Sequence, residues 1–570
     1  MSLGTRTTGV PLRRPGKVMR LERLGSFHQC RLSFMRVLTR RMARENWRFS
    51  RGVFDIDGNG IGRSVHSVQA TGGRTYSLVS FAHDLPDELR SDRVIAEAWD
   101  ATFALFDGIP TTRDLDRLED NVPFQEAGRL TEQELVLSRA NRSVRLWRHV
   151  VDSLAAGGQP DPGEIERVGY LMRTTAVYAS GKFGTADRSV VRDRPELRLP
   201  FQAEMLTVYL IRTFVRDLVN HLARARSGSP GTRLDDRVAQ RLGIGNSTGL
   251  GMAPFIVDHP VLYNNWITAR EQAIAAVRSV HAATEREIAV FRDLVERSSR
   301  QARLWKSDHP MQRAKIADLR RDLDALAGYL ETRDLGDEFP WDQLVLWSET
   351  ELSVEGQELV VSLILEPYPG LVDQLAESME DRNLDSGDID GSMTVGQVRQ
   401  LITGQFGWAF GTDWQSPESI ARVWYVSEEK LEPRLGERFE EPLEMYEQPI
   451  ATARDAVCTY NALAEWPDDR IIAGFLLEHP GHRHVIRRVQ RCRAGQYCEI
   501  RDNLVSAELL PIDMLRSKLA FFGATNFDPR SDRWVRICMF AGAPFPDDLA
   551  TRDSDTWIYP EPEPRSANVP

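Results

Sequence analysis

The sequence predicts an α+β fold, predominantly α-helical, made of two pseudo-symmetric, internally duplicated modules, each a small antiparallel sheet followed by a helical bundle. Three observations predict it. The phrase PFIVDHPVLY, residues 254–263, returns as GFLLEHPGHR, residues 474–483. Landmarks around that phrase return in the same order: Phe183-Gly184-Thr185 and Phe410-Gly411-Thr412, Glu204-Met205 and Glu444-Met445, Arg216-Asp217 and Arg454-Asp455, His259-Pro260 and His479-Pro480. Each half also opens on strand-like segments and continues into segments with helical spacing of apolar residues. A conserved order of landmarks is harder to obtain by chance than any single match, so the sequence reads as one module written twice.

In chain order, residues 1–45 form a flexible basic leader ending in an amphipathic basic helix around Phe34–Trp47. The first module spans 46–305. Its start, RGVFDIDGNGIGRSVHSVQATGGRTYSLVSFAH, alternates apolar with polar residues between Asp-Gly, Gly-Asn-Gly and Gly-Gly turns, which predicts successive hairpins. A helix is expected from Thr131, where Thr131 and Glu134 have the spacing of a capping box. A second, buried helix follows Pro200. Two long charged helices, Ile267–Trp305 and about Met311–Thr332, make a helical hairpin, with 306–335 linking the modules. The second module, 336–550, repeats the pattern, with strands expected over Leu344–Leu365 around a Glu-Gly turn and a helix over Gln448–Trp466. Residues 551–570 are a disordered Pro-rich tail.

Composition narrows the function. With 570 residues, 42% hydrophobic and 27% charged, the chain can build more than one core, and its formal net charge of -11 argues against a specific nucleic-acid partner. The one basic concentration runs from Arg13 to Arg51. No apolar run is long enough to span a bilayer, so no membrane partner is expected. Five scattered cysteines suit a reducing cytoplasm. A duplicated module with a self-complementary interface leaves homo-oligomerisation open.

The candidate site comes from differences between the copies. The turn SGKFGTADRS carries Lys182, Thr185, Asp187 and Arg188, a Lys and an Arg spaced to clamp a carboxylate or phosphate; the second copy lacks both charges. The stretch RLGIGNSTGLGMAPF interleaves four glycines with Asn246, Ser247 and Thr248, and Gly249 would let backbone amides approach an anion. It matches neither a dinucleotide fingerprint nor a phosphate-binding P-loop, so no cofactor is named. His259 closes the set. His479, His482 and His484 have the chemistry of metal ligands, but the basic VIRRVQRCR that follows repels a cation, and no metal is expected. The expected function is a soluble cytoplasmic enzyme of unassigned reaction, binding a small anionic substrate in the first repeat near the inter-repeat cleft. The alternative is a non-catalytic helical scaffold whose charged hairpin offers an apolar docking face.

Overall fold

A computed structural model describes residues 9–86, 98–124, 128–175, 191, 193–227, 232–248, 259–380, 388–420, 424–426, 433–435, 452–502, 509–524, 526–529, 535–550, 557 and 559. The predicted hairpins form as β1 (Arg48–Ile56), β2 (Gly62–Gln69) and β3 (Thr75–Ala82). Gly72 and Gly73, at φ 94° and 87°, supply the left-handed backbone that the β2–β3 turn requires. The sheet continues through β4 (Ala101–Asp107), β5 (Glu134–Arg142), β6 (Tyr170–Thr174) and β7 (Gly243–Thr248). A separate small pair, β8 (Trp424–Val426) and β9 (Pro433–Leu435), stands apart, and β10 (Asn526–Pro529) and β11 (Val535–Met539) rejoin the main sheet.

That main sheet overturns the two-module fold. It is a single nine-stranded mixed sheet in the order β1-β2-β3-β4-β5-β6-β7-β11-β10, so strands from both ends of the chain share one layer. The region expected to begin a second sheet is instead two helices, Pro340–Glu351 and Val354–Leu363. The second of these is buried over most of its circumference, so its apolar run carries no 3.6-residue period and imitates a buried strand. Its glycine is not a turn: a methyl at Gly356 would lie 2.5 Å from Asp322 Oδ2, and the missing side chain lets that carboxylate accept the Ser353 hydroxyl at 2.5 Å. The expected helix from Thr131 is also corrected, since β5 occupies 134–142 and the helix begins at Leu146. Thr131 and Glu134 do pair, at 3.1 Å, but at the entry to a strand.

The repeated His-Pro phrase has a local cause. His259 and His479 adopt nearly the same backbone, φ/ψ of -115°/57° and -126°/65°, and each precedes a proline that opens a helical turn. Tyr368, before Pro369, does the same at -117°/59° without being part of any repeat. A residue before proline is pushed out of the α region, so the phrase records a way of starting a helical turn.

Helix Gln202–Ser227 covers one face of the sheet, with Phe214 edge-on to Phe103 at 5.6 Å. On the other face Val79, Phe81, Ala104, Phe106 and Leu137 pack on Leu115, Leu118 and Val122 from and beside helix Thr112–Asn121. The N-terminal segment enters the main core: Val18, Leu21, Phe27, Leu32 and Phe34 are fully buried. Its basic residues face inward to carboxylates, Arg13 to Glu271 and Glu358, Arg23 to Glu358, Arg31 to Asp373 and Arg36 to Glu366. The two hairpin helices appear as three, Pro260–Arg278, Glu285–Leu304 and Pro310–Thr332. A smaller core, including Val395, Ile402, Phe406, Phe475 and Val489, holds together the helices of 395–491.

The sheet is tightly packed where β7 meets its neighbours. A methyl at Gly243 would collide with the Met539 carbonyl and come within 2.7 Å of Cys538 Sγ; one at Gly245 would stand 2.7 Å from the Tyr170 ring. Gly243→Val is therefore expected to cost about 3 kcal/mol or more by overpacking a rigid junction. Gly404→Ala, in open space on helix Val395–Phe406, should be neutral or better. Urea unfolding of both variants measures the contrast, and equal midpoints would show that β7 yields freely.

Candidate functional site

Strands β6 and β7 are hydrogen-bonded and parallel, whereas every other neighbouring pair in the main sheet is antiparallel. Both therefore end at the same edge. The chain leaves β6 toward the stretch containing Lys182, Thr185, Asp187 and Arg188, and leaves β7 toward Gly249; these five residues lie outside the described ones. The stretch read as a glycine loop is a strand over 243–248. Asn246 is fully buried and donates from its amide to the Thr174 carbonyl at 2.9 Å, bridging the ends of β7 and β6. Ser247 and Thr248 are known by register alone, opposite Arg536 and Val535. His259 sits at the start of helix Pro260–Arg278, away from β7 in sequence and structurally a helix cap position.

Register brings forward residues that the sequence reading passed over. Thr102 on β4 opposes Arg139 on β5; the Thr175 N–H, just beyond β6, donates to the Arg139 carbonyl, and the Arg139 N–H donates to Thr175 Oγ1; Ser247 on β7 opposes Arg536 on β11. Opposed residues share a face, so Thr102, Arg139 and Thr175 form a transverse row, and Arg536 lies beyond it on β11. One rung away, Arg173 opposes Gly245. The Arg139 guanidinium lies 3.7 Å from the Trp99 ring centroid and that of Arg536 lies 6.0 Å from Tyr170, so aromatic faces orient both cations. His83 Nε2 stands 3.2 Å from Thr102 Oγ1. Burial holds His83 below its ordinary range, with Asp100 pulling upward and Arg142 downward, so the imidazole is neutral at neutral pH and able to accept a proton. A signal for this row existed in LVLSRANR, whose alternation leaves an arginine and an asparagine on one face of a strand, but only the partner strands show what they meet.

Other candidate chemistry disperses. Cys538, beside Gly243, is fully buried, donates to the Gly169 carbonyl, and has its thiol pushed up to about 12 by burial, which makes it a poor nucleophile. His482 Nδ1 lies 2.8 Å from Thr459 Oγ1, while His484 Nε2 lies 3.3 Å from Asp455 Oδ2, whose hydrogen bond holds it above its ordinary range. Among the described residues no group of three or more His, Cys, Asp or Glu is placed to hold a metal ion, and no helix is long and apolar enough to cross a membrane. Comparison with protein families, curated proteins and solved structures finds no match to this chain.

Proposed function

We propose that this protein is a cytoplasmic enzyme that binds a small anionic substrate, bearing a carboxylate or phosphate, along the row of Arg139 toward Arg536, with His83 as the group that moves a proton. The observation that supports this most is the parallel pairing of β6 and β7. Of the two stretches that the sequence marks for anion binding, one follows β6 and the other runs through and past β7, neighbouring strands that end together, and crevices at the carboxyl ends of parallel strands, where strand order changes sense, are favoured ligand sites. Arginine supplies bidentate donors for either anion, and nearby aromatic rings fix its plane. Five free cysteines fit a reducing compartment. A helical scaffold would need an apolar docking face on the hairpin, yet among the described residues of 260–332 Leu304 is the large apolar side chain that stands exposed.

Thermal-shift and calorimetric screening with inorganic phosphate, small carboxylates, nucleotides and acyl-CoAs is expected to find a stabilising ligand. Arg139→Gln, and the pair Lys182→Ala with Arg188→Ala, should weaken it about tenfold or more, because each removes a charged hydrogen bond. Arg226→Gln, on an exposed helix end, should not. A screen without a ligand, or variants that bind as the wild type does, would remove the reading.

A further inference from the structure

We infer a second, independent ligand site: a cleft beside helix Phe34–Arg44 that takes a small organic monoanion, a carboxylate head on a short apolar body. The cleft has a volume of about 440 Å³, within the range of small-molecule sites. One face of the helix lines it, Val37, Arg40, Arg41 and Arg44, at the i, i+3, i+4, i+7 spacing of a single stripe. The opposite stripe of the same helix, Phe34, Met35, Leu38 and Met42, is sunk in the core, so the arginine stripe is held in place by the fold rather than by its own pairing. Buried Leu199, Ala376 and Leu549 supply apolar surface in the same cleft.

Most of the carboxylates there are already engaged. Asp373 is gripped by both guanidinium donors of Arg31, at 2.8 and 2.7 Å, and lies 3.3 Å from Arg40. Glu45 receives Arg41 at 3.0 Å and the Trp47 indole at 2.9 Å, which leaves Arg44 at 3.7 Å from a carboxylate already engaged. Glu377 and Glu380 both meet Arg198. Arg44, which lines the cleft, stands 3.7 Å from the Glu45 carboxylate and has a side chain 71% exposed, is the cation best able to turn toward a ligand over the apolar surface. A carboxylate with a short hydrocarbon tail matches both features, the head bonding to guanidinium and the tail covering Leu199 and Leu549.

Titration calorimetry of the full chain with sodium hexanoate tests this. Hexanoate is expected to bind saturably, while hexan-1-ol, which lacks the head, and inorganic phosphate, which lacks the body, bind about tenfold more weakly or not at all. Arg44→Gln should weaken hexanoate about tenfold, the ordinary loss for one charged hydrogen bond, and Ala550→Glu, an exposed change at the rim, should weaken it similarly. Both positions are solvent-exposed, and circular dichroism verifies that the fold is kept. The inference is overturned if hexanoate does not bind, if both variants bind as wild type does, or if Arg173→Gln abolishes binding while Arg44→Gln leaves it intact. That last result would assign the hexanoate to the strand row.

Discussion

Replacing Glu358 with leucine is expected to lower the unfolding free energy by about 3–5 kcal/mol or more. Glu358 is fully buried and accepts from Arg13 at 2.7 Å, Arg23 at 2.7 Å and Arg270 at 2.8 Å. Glu271 beside it takes both remaining Arg13 donors, at 2.8 and 2.7 Å. Burial alone would push the Glu358 carboxyl up; Arg13, Arg270 and Arg23 outweigh it and hold the group well below the usual carboxylate range. Without Glu358, Arg13 and Arg270 are left to share Glu271 while Arg23 keeps its bond to the neutral Gln357, and the cost is that of uncompensated buried charge rather than of lost contact area. Glu358→Gln, which keeps the shape, should therefore lose nearly as much as Glu358→Leu. The exposed pair Arg226–Asp152 is the control, and Arg226→Ala should change stability by less than about 1 kcal/mol. Urea unfolding reads all three. If Glu358→Gln is as stable as the wild type, charge does not hold this network.

Acid should loosen the protein through His28 before it reaches the carboxylates. The His28 ring is 3% exposed, stacks on Trp305 at 6.1 Å, and is pushed by burial from 6.5 to about 4, with Glu355 and Glu358 pulling up and Arg516 and Arg270 pulling down. Its folded value is depressed, so between pH 6.5 and 4 the unfolded chain takes up a proton here that the folded chain refuses. Stability is complete above pH 6.5 and falls as pH drops through that window, by about 3 kcal/mol at pH 4. Glu355 and Glu358, both held below their ordinary 4.5, add losses only below that value, which leaves the upper part of the window to histidine. His28→Phe keeps a ring against Trp305 and removes Nε2, a buried atom without a hydrogen-bond partner. Stability against pH should then be flatter for the variant from 6.5 to 4.5. Parallel curves would show that another group governs the acid limb.

What the sequence made legible was local. The β1–β3 hairpins carry their alternation and their turn glycines in adjacent residues, and helix Gln202–Ser227 follows from Pro200 and a long apolar run. Helix Val354–Leu363 was hidden because a helix buried on most sides has no polar face to reveal its period, and helix Pro340–Glu351 because exposed Leu346 interrupts the polar side of its buried stripe of Trp341, Leu344, Val345 and Ser348. The single sheet was hidden because β7 finds its partner β11 far along the chain, and no pattern within either strand names the other. The candidate site divided the same way. Lys182, Arg188 and the residues around Gly249 stand out by composition, whereas Arg139 and Arg536 become neighbours of a site only when register aligns their strands.

The pairing of β7 with β11 also sets an order of events during synthesis. Residue 248 leaves the ribosome long before residue 535, so β7 waits with one hydrogen-bonding edge open while most of the remaining chain is made. Contacts of such sequence separation slow folding, and an unpaired edge is a template for association with other chains. Helix Gln202–Ser227, already present, can shield one face of the waiting sheet but not its edge. A chain stopped before β11 therefore carries a nearly complete protein with an adhesive border, and its fate falls to chaperones and proteases rather than to its own core.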